Sequence, residues 1–338
     1  MPAVLEERCA WRRDDIGDDY VHRLTDDDVA ELEAALEHAE AHTTATLDIT
    51  AEDFPLPTLG PRLAEMAREL IEGRGVALIR GVPVDRLGRD RASAVYWGIG
   101  CHLGRPWPQN HKGHLLGDVT DQGKTGADPT SRGNEIGGVA FPFHSDGSDL
   151  VGLFCLDAGA SGGASLVANA VSIHNELVRS EPEMAAALYD EFAYDFRGEE
   201  RAGSRAWYLM PLFTERHGRL FVRYIRPYIQ AARRHADAPA PSSVAVEAMD
   251  RVDAMCADPD FHLSMQLEPG DVQLVNNYHV LHARSSYTDD RLAGRVRHLK
   301  RLWLETSVLT ADDKPEAFRL GATTDAWWDA SSRATGTR

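Results

Sequence analysis

The sequence predicts an α+β protein, mainly β with flanking helices, whose second half closes into a two-sheet β-barrel or jelly roll. Three observations carry this. Short apolar or alternating runs crowd the chain after residue 140, turn signals such as Glu268-Pro269-Gly270-Asp271 separate them, and helical periodicity is confined to stretches before and between them. The 338 residues, 43% of them hydrophobic, suffice to fill a core of that size.

In chain order, residues 25–41 (TDDDVAELEAALEHAEA) set Val29, Leu32 and Leu36 at helical spacing behind a Thr25 cap and an acidic first turn. Leu63, Met66, Leu70 and Ile71 repeat that spacing up to Gly73-Arg74-Gly75, after which GVALIRGVPV reads as a strand. Residues 104–139 are rich in Gly, Pro, Asn, Asp and His with little periodicity, and so long an irregular segment reads as functional or mobile. Beyond 140, VGLFCL, ASLVANAV, RLFVRYI, FHLSMQL, DVQLVNN and RHLKRLWLE read as strands, with helices near 172–191 and 242–257. The expected organisation is one domain: a helical scaffold over 1–74, the barrel with helical insertions over 75–306, and a tail over 307–338 that frays after about 329.

Charge and cysteine usage narrow the function. With 53 acidic against 36 basic residues the formal charge is −17, so the average field repels nucleic acid and anionic membranes. Cysteines 9, 101, 155 and 256 form no CxxC pair, which fits neither a zinc site nor a disulfide framework and suits a reducing cytoplasm. The opening residues lack the apolar stretch of a secretion signal, and no run of about 18 apolar residues occurs. Gly98-Ile99-Gly100-Cys101-His102-Leu103-Gly104 has one residue too many for a dinucleotide fingerprint, and Walker and HExxH motifs are missing. The expected partner is therefore a small molecule.

The stretch with chemistry in it is FPFHSDGSD, residues 141–149. On a strand, His144 and Asp146 would face the same way and offer an imidazole and a carboxylate to one point, although His-x-Asp alone reads equally well as a turn. Two ligands need a third. The facial set of two His and one carboxylate leaves three positions on Fe(II) open for a chelating cosubstrate and oxygen. The segment DVQLVNNYHVLHARSSY offers His279 and His282, which face opposite ways on a regular strand, so one of them is expected to ligate. Arg297 and Arg301, four apart in RHLKRLWLE, share a strand face on which a guanidinium could grip a buried carboxylate. A rival reading is a hydrolase: Gly159-Ala160-Ser161-Gly162-Gly163 satisfies G-x-S-x-G after an apolar run, although two glycines make a poor start for the helix that a nucleophile elbow requires. A barrel that binds a ligand without turning it over is the third.

Taken in order, FHSDG, SGGAS, PGDVQLVNNYHVLHAR and RHLKRLWL resemble the taurine-dioxygenase-like family of Fe(II)/2-oxoglutarate-dependent oxygenases, which includes clavaminate synthase, over roughly residues 75–306. The resemblance implies a double-stranded β-helix (jelly-roll) core and Fe(II), 2-oxoglutarate and O2 as cofactors. It carries the iron ligands onto His144, Asp146 and His282, leaving His279 to packing. It carries the anchor of the cosubstrate's far carboxylate onto Arg297, with Ser165 as a hydroxyl donor, and gives Arg301 to the cosubstrate or to an anionic group of the substrate. Halogenating members replace the carboxylate ligand with a small residue, so Asp146 implies hydroxylation, desaturation or cyclisation, as in natural-product biosynthesis. Asp149 reads as structural, and His102, His111, His114, His174 and His298 as surface or satisfied core residues. The 104–139 segment is the expected lid, with Asn110, His111, Asp118 and Arg132 as polar substrate contacts and Phe141 and Phe213 as apolar ones.

Overall fold

A computed structural model describes residues 2–5, 9–43, 45–125, 131, 133–200 and 203–319. In chain order the strands are β1 (Val21–Arg23), β2 (Val76–Arg80), β3 (Arg105–Trp107), β4 (Leu116–Thr120), β5 (Phe141–His144), β6 (Leu150–Asp157), β7 (Ser161–Gly162), β8 (Ser165–Asn169) and β9 (Glu191–Asp195). They continue with β10 (Trp207–Pro211), β11 (Phe213–Arg216), β12 (Arg219–Val222), β13 (His262–Met265), β14 (Val272–Asn276), β15 (Val280–Arg284), β16 (Tyr287–Thr288) and β17 (His298–Glu305). The helices are α1 (Asp26–His42), α2 (Leu59–Glu72), α3 (Val84–Leu87), α4 (Arg89–Leu103), α5 (Ala170–Ser180), α6 (Pro182–Ala187), α7 (Arg226–Ala232) and α8 (Ser243–Ala257).

Two sheets make the barrel. The larger runs β1-β2-β14-β6-β17-β3, with β4 also on β17, and the smaller runs β13-β8-β15-β5. Alternation along each strand sorts its side chains between two cores. Val76, Leu78, Val151, Leu299 and Trp303 point inward and meet Val167, Leu263 and Val280 of the smaller sheet. Their neighbours Ala77, Ile79, Phe154, Leu302 and Leu304 point outward into the helical layer. A sheet covered on both faces shows continuous apolar runs, which is why VGLFCL reads as a strand without clean alternation.

Thr25 caps α1 as expected, its hydroxyl accepting from Asp28 N while the Asp28 carboxylate accepts from Thr25 N. Helix α4 has no sequence signature because residues 92–100 are all buried, which leaves no polar stripe to read. Two glycines bring it close to its neighbours. A Cβ on Gly98 would lie 2.5 Å from the Phe54 ring, and one on Gly100 2.5 Å from Leu302.

Three expectations need correcting. The segment 104–139 is not wholly irregular, since β3 and β4 both add to the edge of β17. The first 74 residues are not purely helical: β1 pairs in parallel with β2, and Leu5 exchanges two backbone bonds with the Asn175 side chain on α5, each 2.8 Å. The strand read through GVPV ends at Arg80, and Val84 already begins α3. The four cysteines are free thiols. Among the described residues no helix is long and apolar enough to cross a membrane. The tail beyond 329 lies outside the described residues.

Candidate metal centre and active site

His144 and His282 are direct cross-strand partners on the adjacent strands β5 and β15, which brings their ring centroids to 4.2 Å. Asp146 lies beyond the end of β5, so strand alternation does not aim it. Its place comes from the turn: Asn277 Oδ1 accepts from Asp146 N at 3.1 Å, and Arg223 Nη1 donates to the Asp146 carbonyl at 2.5 Å. The Nε2 atoms of His144 and His282 each lie 3.8 Å from an oxygen of the Asp146 carboxylate, and the three residues offer ligand atoms all within 4.8 Å of one another. One ion can touch all three.

The protonation states suit a cation. Burial keeps both imidazoles neutral, pushing His144 down and His282 down to about 3. His144 Nδ1 faces the Pro142 carbonyl at 3.0 Å, so its proton belongs there and the Nε2 lone pair faces Asp146. Burial alone would raise Asp146, but the Arg301 guanidinium, together with the Trp303 N–H, outweighs it and holds the carboxyl well below its ordinary value. Trp303 Nε1 donates to Asp146 Oδ2 at 3.0 Å and Arg301 Nη1 lies 3.3 Å from the same oxygen, leaving Oδ1 uncommitted. Two neutral nitrogens and one anionic oxygen on one face, with that oxygen's twin tied down, fit a divalent first-row metal.

One cavity holds this cluster. Leu153, Leu267, Leu299, Ser165, Arg284 and Arg297 line it. Arg297 is 4% exposed, its Nη1 has no hydrogen-bond partner, and its guanidinium lies over the Tyr287 ring at 5.1 Å. The SGG turn makes room for it: Gly163 has φ +71°, and a Cβ there would lie 2.8 Å from Arg297 Nε. Ser165 Oγ donates to Gln273 Oε1 at 2.6 Å, which engages its only proton, while Gln273 Nε2 is buried without a partner. With that amide turned over, Gln273 donates to Ser165 and frees the hydroxyl proton for a ligand.

The cavity wall also includes Phe141, Phe196, Tyr208 and Tyr228, with Arg223 and Arg301. Arg301 Nε donates to Gln109 Oε1 at 2.8 Å, and Arg223 Nη2 donates to Tyr208 Oη at 3.2 Å. Glu199 lies on this wall and accepts from His111 N at 2.9 Å, so His111 reaches the cavity through Glu199. Asp195 is paired with Arg234 and His235.

Not every expected contact is present. Asp118 sits on the outward side of β4, paired at 2.6 Å with both His298 and Lys300, and the His298 hydrogen bond with the Lys300 ammonium holds it at about 2 against the opposing effect of burial. Asn110 turns back to His114. Phe213 is a core residue against His174 and Tyr189. Arg132 lies outside the described residues. Phe141 does line the cavity, edge-on to His144 at 4.6 Å. His279 precedes β15 in the turn and is buried outside the cluster of three. Asp149 is structural as expected, bonded to Tyr278, Lys314 and the Thr306 amide.

The hydrolase reading fails on geometry. Ser161 is exposed, its hydroxyl is 2.7 Å from that of Thr288, and strand β8 rather than a helix follows it. Sequence reasoning also missed Arg223, Arg284, Tyr208 and Gln109. Only Arg284, two residues after His282 and therefore on its strand face, carried a signal that could have found it.

Comparison with known proteins agrees with this architecture. FR-33289 synthase of Streptomyces rubellomurinus is 32% identical over 303 residues, covering 88% of this chain and 89% of that protein. The taurine hydroxylase-like protein SAT17 of Stachybotrys chartarum is 29% identical over 314 residues, covering 89% and 80%. Among solved structures, asparagine oxygenase with Fe(II), 2S,3S-3-hydroxyasparagine and succinate superposes with a TM-score of 0.67 at 20% identity, covering 85% of this chain and 94% of that one. The non-heme iron oxygenase OrfP with Fe and alpha-ketoglutaric acid gives 0.62 at 17% identity, covering 84% and 94%. Residues 37–303 match the family described as taurine catabolism dioxygenase TauD, TfdA family, and the chain belongs to that family of Fe(II)/2-oxoglutarate-dependent oxygenases.

Proposed function

We propose that this dioxygenase oxidises a C–H bond of an anionic small molecule, a metabolite or natural-product intermediate, by hydroxylation, desaturation or cyclisation. His144, Asp146 and His282 hold Fe(II), Arg297 with Ser165 holds the far carboxylate of 2-oxoglutarate, and Arg301 receives the substrate's anionic group. The observation that carries this is the position of the three ligand residues in one cavity that is also lined by Arg301 and by the buried Arg297, whose Nη1 has no hydrogen-bond partner.

Fe(II) and 2-oxoglutarate, once bound with O2, supply oxidative decarboxylation to succinate and carbon dioxide and the oxidising power to remove hydrogen from an unactivated C–H bond. The protein does the rest. Trp303 and Arg301 fix the Asp146 carboxylate in one rotamer, and the Pro142 carbonyl fixes the His144 ring. The aromatic walls exclude water and orient an apolar body, while Arg301 sets the distance from the substrate's charged end to the metal. Asparagine oxygenase and OrfP bind hydroxylated amino acids in their solved structures, which supports a small-molecule substrate here.

Three variants test it. Asp146→Ala should lose bound iron and all 2-oxoglutarate turnover. Arg297→Lys should raise the KM for 2-oxoglutarate by roughly ten- to a hundredfold, the cost of one charge-assisted contact. Arg301→Lys should instead raise substrate KM or uncouple decarboxylation from product. Full iron content and turnover in Asp146→Ala would remove the metal assignment, and an exchange of the two arginine phenotypes would exchange their roles.

A further inference from the structure

Beside Arg297 the cavity holds a second, half-buried cation that no motif assigns. Arg284, at the end of β15, lies over the same Tyr287 ring as Arg297, at 4.9 Å against 5.1 Å. Its Nη2 donates to the Val139 carbonyl at 2.8 Å and the Ile136 carbonyl at 3.2 Å. Its Nε is buried without a partner, as is Nη1 of Arg297. Both residues line the cavity. Burial and the neighbouring Arg284 cation together pull Arg297 down to about 10, with Tyr287, Cys155 and Asp289 offsetting them only in part.

Two like charges withdrawn from water beside one ring are costly unless an anion joins them. We propose that Arg284 is a second cosubstrate-binding residue: it shares the far carboxylate of a dicarboxylic 2-oxo acid with Arg297, and through its bonds to Ile136 and Val139 it ties that carboxylate to the 133–139 segment. The inference rests on the reading of Arg297 as the cosubstrate anchor. A guanidinium has five N–H donors, so Arg284 can keep both carbonyls on Nη2 and turn Nε to the ligand. Discrimination against a 2-oxo acid without the second carboxylate then comes from two cations, because Arg284 Nε and Arg297 Nη1 would each stay buried without an acceptor. The segment that leads into the ligand strand β5 is held in place by the residue that senses the cosubstrate.

The test compares binding of 2-oxoglutarate with 2-oxovalerate, which lacks the far carboxylate, to the full chain loaded with Co(II), by calorimetry. Arg284→Gln should weaken 2-oxoglutarate about tenfold or more and 2-oxovalerate little, so that the ratio of the two constants collapses. Hydrogen exchange should show 2-oxoglutarate protecting residues 133–140 in the wild type and failing to do so in the variant. Where Arg284→Gln does not fold, Arg284→Lys, which keeps the charge and one donor direction, decides: an intermediate loss of the ratio supports the proposal. A ratio within twofold of wild type in a folded Arg284 variant overturns it. If Arg297→Lys collapses the ratio and Arg284 variants do not, the Arg284 role alone fails. If neither affects it, the reading of Arg297 fails as well.

Discussion

Gly163→Ala isolates the role of the SGG turn. Two costs follow from the structure. At φ +71° an alanine is strained by about 1–2 kcal/mol, which should appear as lost stability. The new Cβ would also stand 2.8 Å from Arg297 Nε, closer than a nonbonded carbon tolerates, and in tight contact with its Cδ at 3.2 Å and Tyr287 Cβ at 3.3 Å. Arg297 must then swing away from Tyr287 and lose its two-point grip on a carboxylate, worth about 1.5–3 kcal/mol, or roughly ten- to a hundredfold in Kd for 2-oxoglutarate. The control is Gly218→Ala, where φ is +75° and nothing lies within 4 Å of the added methyl. Calorimetry on Co(II)-loaded protein should show the affinity loss for Gly163→Ala alone, while denaturant titration shows similar destabilisation in both. Equal 2-oxoglutarate affinity in the two variants would refute the claim that this glycine exists to seat Arg297.

Two further outcomes are expected. Trp303→Phe removes the indole N–H from Asp146 Oδ2, and competition with a chelator should show metal affinity lower by roughly 10–100-fold; unchanged affinity would make that hydrogen bond irrelevant to the metal. His279 is pushed down to about 3 by burial, with Arg219 adding to it, so the native protein keeps it neutral while the unfolded chain protonates it near 6.5. The unfolded state therefore binds the extra proton between those values: the contribution is full above pH 6.5 and is lost as pH falls toward 3, at up to about 1.4 kcal/mol per pH unit. His279→Gln should flatten the acid limb of the stability curve by up to one proton, and an identical slope would disprove the burial argument.

The sequence by itself determined the architecture and the chemistry. Strand patterning after residue 140 and the capped helix α1 were legible because each reports how an element buries its own faces. The cluster of His144, Asp146 and His282 was legible because four motifs stand in order. Only the tertiary structure decided what surrounds them. Asp146 is aimed by Asn277, Arg223, Trp303 and Arg301, all more than 70 positions away in the chain. Asp118 and Phe213 are polar and apolar in the expected way, yet β4 turns the first outward and the helical layer takes the second. Arg284 and Arg297 meet over Tyr287 because the chain folds back between β15 and β17, and the edge strands β3 and β4 exist because β17 offers them a partner. Periodicity reports the burial of one element's own faces, whereas membership of a cavity wall depends on register between strands far apart in sequence, and no local pattern encodes that register.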